Sequence, residues 1–162
     1  MRLAKKFLTV SVVLGLSSMA AEAGSRVKLD LSEQRAYLYS DGNLVATSRI
    51  SSGRPGYRTP KGNYHVVGKE RMHISTAYGK YVSPSGKVVR RDVDRKRQSR
   101  PAGAQFRGAK MPYFIRFNQG IGMHGGATPN APVSHGCVRL PNEKARLFFN
   151  AVSAGTPVSV VP

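Results

Sequence analysis

Ser134-His135-Gly136-Cys137-Val138-Arg139-Leu140 holds the single cysteine of the 162-residue chain. A thiol attacks carbon efficiently only as the thiolate, so it needs a base that takes its proton and later returns it. Two imidazoles lie close in sequence: His135, and His124 within Gly122-Met123-His124-Gly125-Gly126. A histidine on a neighbouring strand, joined to the cysteine by a short loop, can reach it. A glycine beside the thiol lets a substrate carbonyl approach the backbone. The N–H groups of Gly136 and Cys137 are then candidates for an oxyanion hole.

Outward from this stretch the chain reads as strands. Residues 113–117 (YFIRF) and 120–124 have strand character, and residues 157–161 form a last strand. Residues 26–31 alternate, with Val27, Leu29 and Leu31 on one face. Residues 34–39 and 44–50 pair through an Asp41-Gly42-Asn43 hairpin turn, and residues 64–67 add another strand after a Gly/Pro loop at 53–62. One helix follows Pro141, with Asn142 as candidate N-cap. Leu147, Phe148, Ala151 and Val152 form its apolar stripe, and Gly155 suits its stop. Residues 69–110 carry few aliphatic side chains and a dense basic run at 89–100 (VRRDVDRKRQSR), which predicts an exposed loop or lid. With 17 Gly, 10 Pro and no Trp, the expectation is a mostly β, sandwich-like domain with one short C-terminal helix and a long basic loop.

The N-terminus bears on compartment. Arg2, Lys5 and Lys6 precede an apolar run at 7–16, and Ala21-Glu22-Ala23 supplies small residues at a cleavage site. This is the grammar of a secretory signal peptide over 1–23, leaving 24–162 as one domain. The apolar run is about half the ~20 residues a spanning helix needs, so no transmembrane span is expected after cleavage. Lys and Arg number 26 against 8 Asp and Glu, a net charge of +18. In an exported chain that balance predicts anionic envelope polymers as partners, in the periplasm or cell wall, and argues against nucleic acid. A single cysteine forms no internal disulfide, and in an oxidising compartment it is a reactive candidate.

The Ser-His-Gly-Cys-Val-Arg-Leu block, with an upstream apolar-His-Gly segment, resembles the signature of the L,D-transpeptidase catalytic domain. Residues 27–39 (VKLDLSEQRAYLY) resemble that family's first hairpin, 50–62 (ISSGRPGYRTPKG) its Gly-then-Thr-Pro-x-Gly segment, and 111–114 the strand before its histidine. The resemblance covers nearly all of 27–162. It implies Cys137 as nucleophile and His124 as general acid/base, with the Gly125 carbonyl orienting the imidazole. It implies that His135 shapes the pocket beside the nucleophile. Ser134, Gly136 and Arg139 match further signature positions, and Arg139 suits a substrate carboxylate. Tyr113 is a candidate for the pocket wall. The loop between His124 and Ser134 is shorter than in many members, which bears on acceptor choice.

The implied chemistry is acyl transfer on peptidoglycan tetrapeptide stems through a cysteine thioester. D-Ala is released and a 3→3 cross-link forms, with no metal or organic cofactor. The same site could act as an L,D-carboxypeptidase or anchor a protein to the wall. A non-catalytic basic envelope-binding protein is the alternative from another class. Papain-like wall hydrolases place the cysteine before its histidine, whereas every histidine here precedes Cys137. Gly120–Gly125 formally fits G-x-G-x-x-G, but Pro129 and Pro132 follow where a dinucleotide site needs a helix. The spacing of His124, His135 and Cys137 matches no familiar zinc pattern, and His65 and His73 stand outside the constellation.

Overall fold

Alternating burial along residues 26–31 takes effect in β1 (Ser25–Asp30), where Val27 and Leu29 point inward. A computed structural model describes residues 24–129 and 131–162; the expected signal peptide at 1–23 lies outside them. β1 pairs with β2 (Arg35–Ser40), and β2 with β3 (Asn43–Arg49), across the two-residue turn Asp41-Gly42. Both turn residues have positive φ, +49° and +80°. That backbone matches the right-handed strand twist, which is why Asp-Gly closes this hairpin.

β4 (Gly62–His65) is followed by β5 (Gly68–Val82), β6 (Val88–Asp94), β7 (Gln105–Asn118), β8 (Ile121–Gly125) and β9 (Val138–Leu140). Helix α1 (Asn142–Ala151) and β10 (Pro157–Val161) complete the order. One sheet runs β3-β2-β1-β10-β4 and the other β6-β5-β7-β8-β9. β1 lies parallel to β10, and β8 parallel to β9; the other pairs are antiparallel. The fold is thus mostly β, with two sheets and one short helix.

A single core joins Val27, Leu29 and Leu38 of the first sheet to Ile115, Met123, Val138 and Leu140 of the second, with Ala145 and Phe148 of α1. Each fully buried Leu, Ile or Phe contributes about 1.5–3 kcal/mol of transfer free energy. α1 lies against β7, β8 and β9. Tyr81, Val93 and Ala104, backed by Phe106, form a second small cluster where β5, β6 and β7 extend as an arm.

Three expectations need correction. The basic run at 89–100 is not simply a loop: β6 carries it through Asp94 before the chain turns. Residues Val89 to Asp92 are exposed, with charges on successive positions, so the strand has no apolar alternation to betray it. Asn142 is not the N-cap; Pro141 occupies that place with φ −51°, and no side chain caps the helix. Of the predicted stripe, Phe148 and Val152 are buried, but Leu147 is 41% exposed. The core-facing line is Ala145, Phe148 and Val152, spaced three and four residues apart along one helix face.

Lys69 of β5 supplies what the helix sequence lacks. The last turn of α1 contains no basic residue, yet Lys69 Nζ donates to the carbonyls of Phe149 and Val152, each at 2.6 Å. A cation there satisfies orphan carbonyls and offsets the negative end of the helix.

Candidate active site

β8 and β9 run parallel with Met123 opposite Val138 and His124 opposite Arg139. Side chains on a strand alternate, so Cys137, just before Val138, falls on the face shared by His124 and Arg139. All three line one cavity of about 340 Å³.

His124 is 6% exposed. Its Nδ1 lies 2.8 Å from the Gly125 carbonyl oxygen. A carbonyl only accepts, so Nδ1 carries the proton and Nε2 keeps its lone pair. Gly125 has no room for a side chain, since a Cβ there would overlap Asn142 Oδ1 at the start of α1. Burial pulls the His124 pKa down from 6.5 to about 4; the Gly125 carbonyl opposes this, while Arg139 and His73 add to it. Burial likewise pushes the Cys137 thiol up, against smaller lowering effects from the Gly122 backbone and Arg139. Desolvation therefore leaves a neutral thiol beside a neutral imidazole at rest.

The turn that presents Cys137 is held from three sides. Gly136 has φ +110°, the left-handed region that favours glycine. Its carbonyl accepts from Thr59 Oγ1 at 2.8 Å, and Thr59 Oγ1 accepts from the Gly53 N–H at 3.0 Å. Ser134 Oγ accepts from the Gly136 N–H at 3.1 Å and donates to the Cys137 carbonyl. Ser134 is 2% exposed and braces the turn. The Gly136 N–H, expected in an oxyanion hole, is thereby committed to Ser134.

His135 lines the same cavity as Cys137, with both ring nitrogens facing other partners. Its Nε2 lies 2.8 Å from Arg54 Nη2, so it accepts from the guanidinium; its Nδ1 is 3.7 Å from Asp92. The ring stacks on Tyr78 at 4.4 Å and meets Tyr57 edge-on at 4.5 Å. Burial, followed by Arg54, lowers its pKa against the opposing pull of Asp92 and Asp94. This neutral acceptor props the wall that Tyr78 forms. Arg139 lines the cavity, and among the described residues no carboxylate lies within ion-pairing distance of it. Tyr113 does not line the cavity; its ring packs on Phe149 at 5.9 Å, from a backbone with φ +55°.

Sequence reasoning missed Tyr78, Asp92 and Lys110 on the cavity wall, and Arg54 and Tyr57 behind His135. Tyr78 lies in an irregular stretch of β5 where pairing with β7 breaks between Ile74 and Gly79. Asp92 lies in a bulge of β6, where the register shifts between Gly79 and Tyr81. Bulges re-aim side chains, and nothing in local composition marks them. Among the described residues no group of three or more His, Cys, Asp or Glu side chains is arranged to hold a metal ion.

A family model described as the L,D-transpeptidase catalytic domain (YkuD) matches residues 24–160. Probable L,D-transpeptidase 3 of Mycobacterium tuberculosis is 32% identical over 174 residues, covering 98% of this chain and 56% of that protein. The chain spans about half the length of the curated relatives it matches. An L,D-transpeptidase from Mycobacterium smegmatis superposes with a TM-score of 0.67 at 20% identity, over 86% of this chain and 59% of that one. An L,D-transpeptidase solved in complex with imipenem gives a TM-score of 0.65 at 23% identity, over 85% and 59%. The two superpositions show a shared fold.

Proposed function

Because the chain belongs to the L,D-transpeptidase catalytic domain family, we propose that it is an exported cysteine acyltransferase forming 3→3 cross-links between peptidoglycan stems. One observation supports this most: the Nδ1 contact to Gly125 leaves the Nε2 lone pair free on a buried imidazole that lines the same cavity as the only thiol. His124 Nε2 takes the Sγ proton as Cys137 attacks the carbonyl at the L-centre of diaminopimelate in a donor tetrapeptide. The C–N bond to D-Ala breaks, and His124 returns the proton to the leaving amine. A thioester remains on Cys137. The side-chain amine of a second diaminopimelate attacks it and loses a proton to His124. The C–S bond breaks, and His124 reprotonates the thiolate. Arg139, otherwise without a carboxylate partner, anchors the donor's terminal carboxylate.

A resting neutral pair avoids holding a buried charge before substrate arrives. The charges that develop in the attack meet a cavity already carrying the Arg139 cation. The domain acts in the periplasm or cell wall after loss of residues 1–23, and the net charge of +16 left once Arg2, Lys5, Lys6 and Glu22 are removed holds it to anionic envelope polymers.

Incubation with disaccharide-tetrapeptide, read by mass spectrometry beside Cys137→Ala, tests this. A dimer lacking one D-Ala, absent from the control, is the expected product. D-Ala loss without a dimer would make the protein a carboxypeptidase, and an unchanged spectrum would overturn the reading. Imipenem, bound by the structural relative, should add its mass to the parent protein and leave Cys137→Ala unmodified.

A further inference from the structure

A second cavity, of about 500 Å³, opens beside the catalytic one. Gly79, Asp92, Ala109 and Lys110 line both, so the two share a wall. Lys80, Arg91 and Arg107 complete the lining on the outer side. None of these three, nor Lys110, has an ion-pair partner among the described residues.

The cations are forced together by the sheet. Lys80 of β5 lies directly opposite Arg107 of β7. Like charges so placed in a cross-strand pair destabilise the ladder. On the other side of Lys80, β6 offers two residues, Arg91 and Asp92, where one would pair regularly, since Gly79 pairs with Val93 and Tyr81 with Arg90. Asp92 in this bulge has φ +53°, the left-handed region, and is held by Arg54 Nη1 at 2.9 Å. The floor is Gly79 opposite Gly108. A Cβ on Gly79 would overlap the Arg107 carbonyl, and one on Gly108 the Ser75 carbonyl. Crowded cations, a strained acid and a side-chain-free floor are local conflicts that packing does not repay, and such conflicts concentrate at functional sites.

Asp92 is the single carboxylate among the residues lining the catalytic cavity. Charge is therefore ordered along the joined cavities: three cations on the outer side of the annexe, Asp92 together with Lys110 at the shared wall, and then Cys137. We propose that the annexe binds the acceptor stem peptide, with its carboxylates against Lys80, Arg91 and Arg107 and its amino group at Asp92, held there as the ammonium and attacking the Cys137 thioester as the free amine once it has lost a proton to solvent. An acceptor diaminopimelate carries both charges, so it complements this order, whereas water or a neutral amine does not. The inference rests on the acyl-transfer reading above and deepens it by assigning the second substrate.

The probe is a tripeptide stem ending in diaminopimelate, which has no D-Ala to release and serves only as acceptor. Its affinity for the Cys137→Ala protein is measured by titration calorimetry and compared with that for the same protein carrying Lys80→Gln and Arg107→Gln. Loss of the two cations should weaken binding about tenfold, and amidating the peptide's carboxylates should weaken it similarly for the parent. In the active enzyme, the same two substitutions should raise the acceptor KM about tenfold while D-Ala release from the donor stays at the parental rate. Thermal midpoints should be equal or higher, because a like-charge pair is relieved; this separates lost binding from misfolding. Equal affinities, indifference to amidation, or displacement of the tripeptide by a glycerol-phosphate oligomer at lower concentration would each overturn the proposal. Failure of D-Ala release in the parent would overturn the acyl-transfer reading alone, since the titration needs no turnover.

Discussion

His124 sits at 6% exposure with its pKa near 4 against an ordinary 6.5. Between those values the unfolded chain binds a proton that the native site refuses, so acid favours unfolding. Stability should fall as pH drops from about 6.5 to about 4, by up to roughly 3 kcal/mol, and this contribution should be flat above that window. Melting curves of the parent and His124→Asn across the window check this, with the variant expected to lose less. The same depressed pKa keeps the base unprotonated, so acylation of Cys137 should persist at pH 5 and fail near 4. Gly125 is the other exacting position. Gly125→Ala forces a methyl into Asn142 Oδ1, costing about 1–3 kcal/mol and displacing the carbonyl that holds His124. Thioester formation, timed by intact mass, should slow about a hundredfold. At this scale the grouping of Cys137, His124 and Gly125 around one cavity is legible, because each is a residue type with few other uses in that order. Ser134 and Gly136 are legible as a motif, whereas their hydrogen bonds to one another are not.

Among the elements, regular strands follow from apolar alternation, and irregular ones escape it. β1 and β2 bury alternate apolar side chains, Val27 and Leu29 on one and Ala36 and Leu38 on the other, and β2 closes onto β3 through a turn with its own signature. β6 is exposed over 89–92 and bulged, and β5 is exposed over 69–72 and irregular between Ile74 and Gly79, so their sequences look like loop. What local reading also leaves out is who holds whom. Thr59 ties the segment before β4 to the Cys137 turn through one buried hydrogen bond, to Gly136, and braces that segment through another, from Gly53. Thr59→Val keeps the shape and removes both, so it should cost about 1–3 kcal/mol in denaturant melts and lower turnover more than acceptor KM. Lys69 acts from a strand on a helix. Lys69→Met should destabilise the domain by about 1–2 kcal/mol, lowering its thermal midpoint while donor acylation remains parental at temperatures where the variant is folded.

Across the whole molecule, charge and topology act at different ranges. A chain this basic should attract an anionic polymer from beyond contact distance, and salt should screen that attraction. Binding of Cys137→Ala to purified sacculi should weaken between about 0.1 and 1 M salt, as the screening length shrinks from about 10 to 3 Å. Neutralising Arg90, Arg95, Lys96 and Arg97 together should weaken it at low salt. Composition revealed the sign of this field, but only the sheet register shows that part of it is focused beside the thiol. The pairing of β1 with β10 acts through time instead. Val27 meets Val158, so the first strand's second neighbour lies far along the chain. Pairings this distant in sequence fold slowly. Until β10 leaves the ribosome, β1 has β2 but not β10 beside it, and β4 has no edge to join. Nascent chains halted before residue 157 should therefore stay protease-sensitive, with resistance arising in one step once residues 157–161 have emerged. A topology that delays closure in this way keeps the chain threadable until its far strand is out.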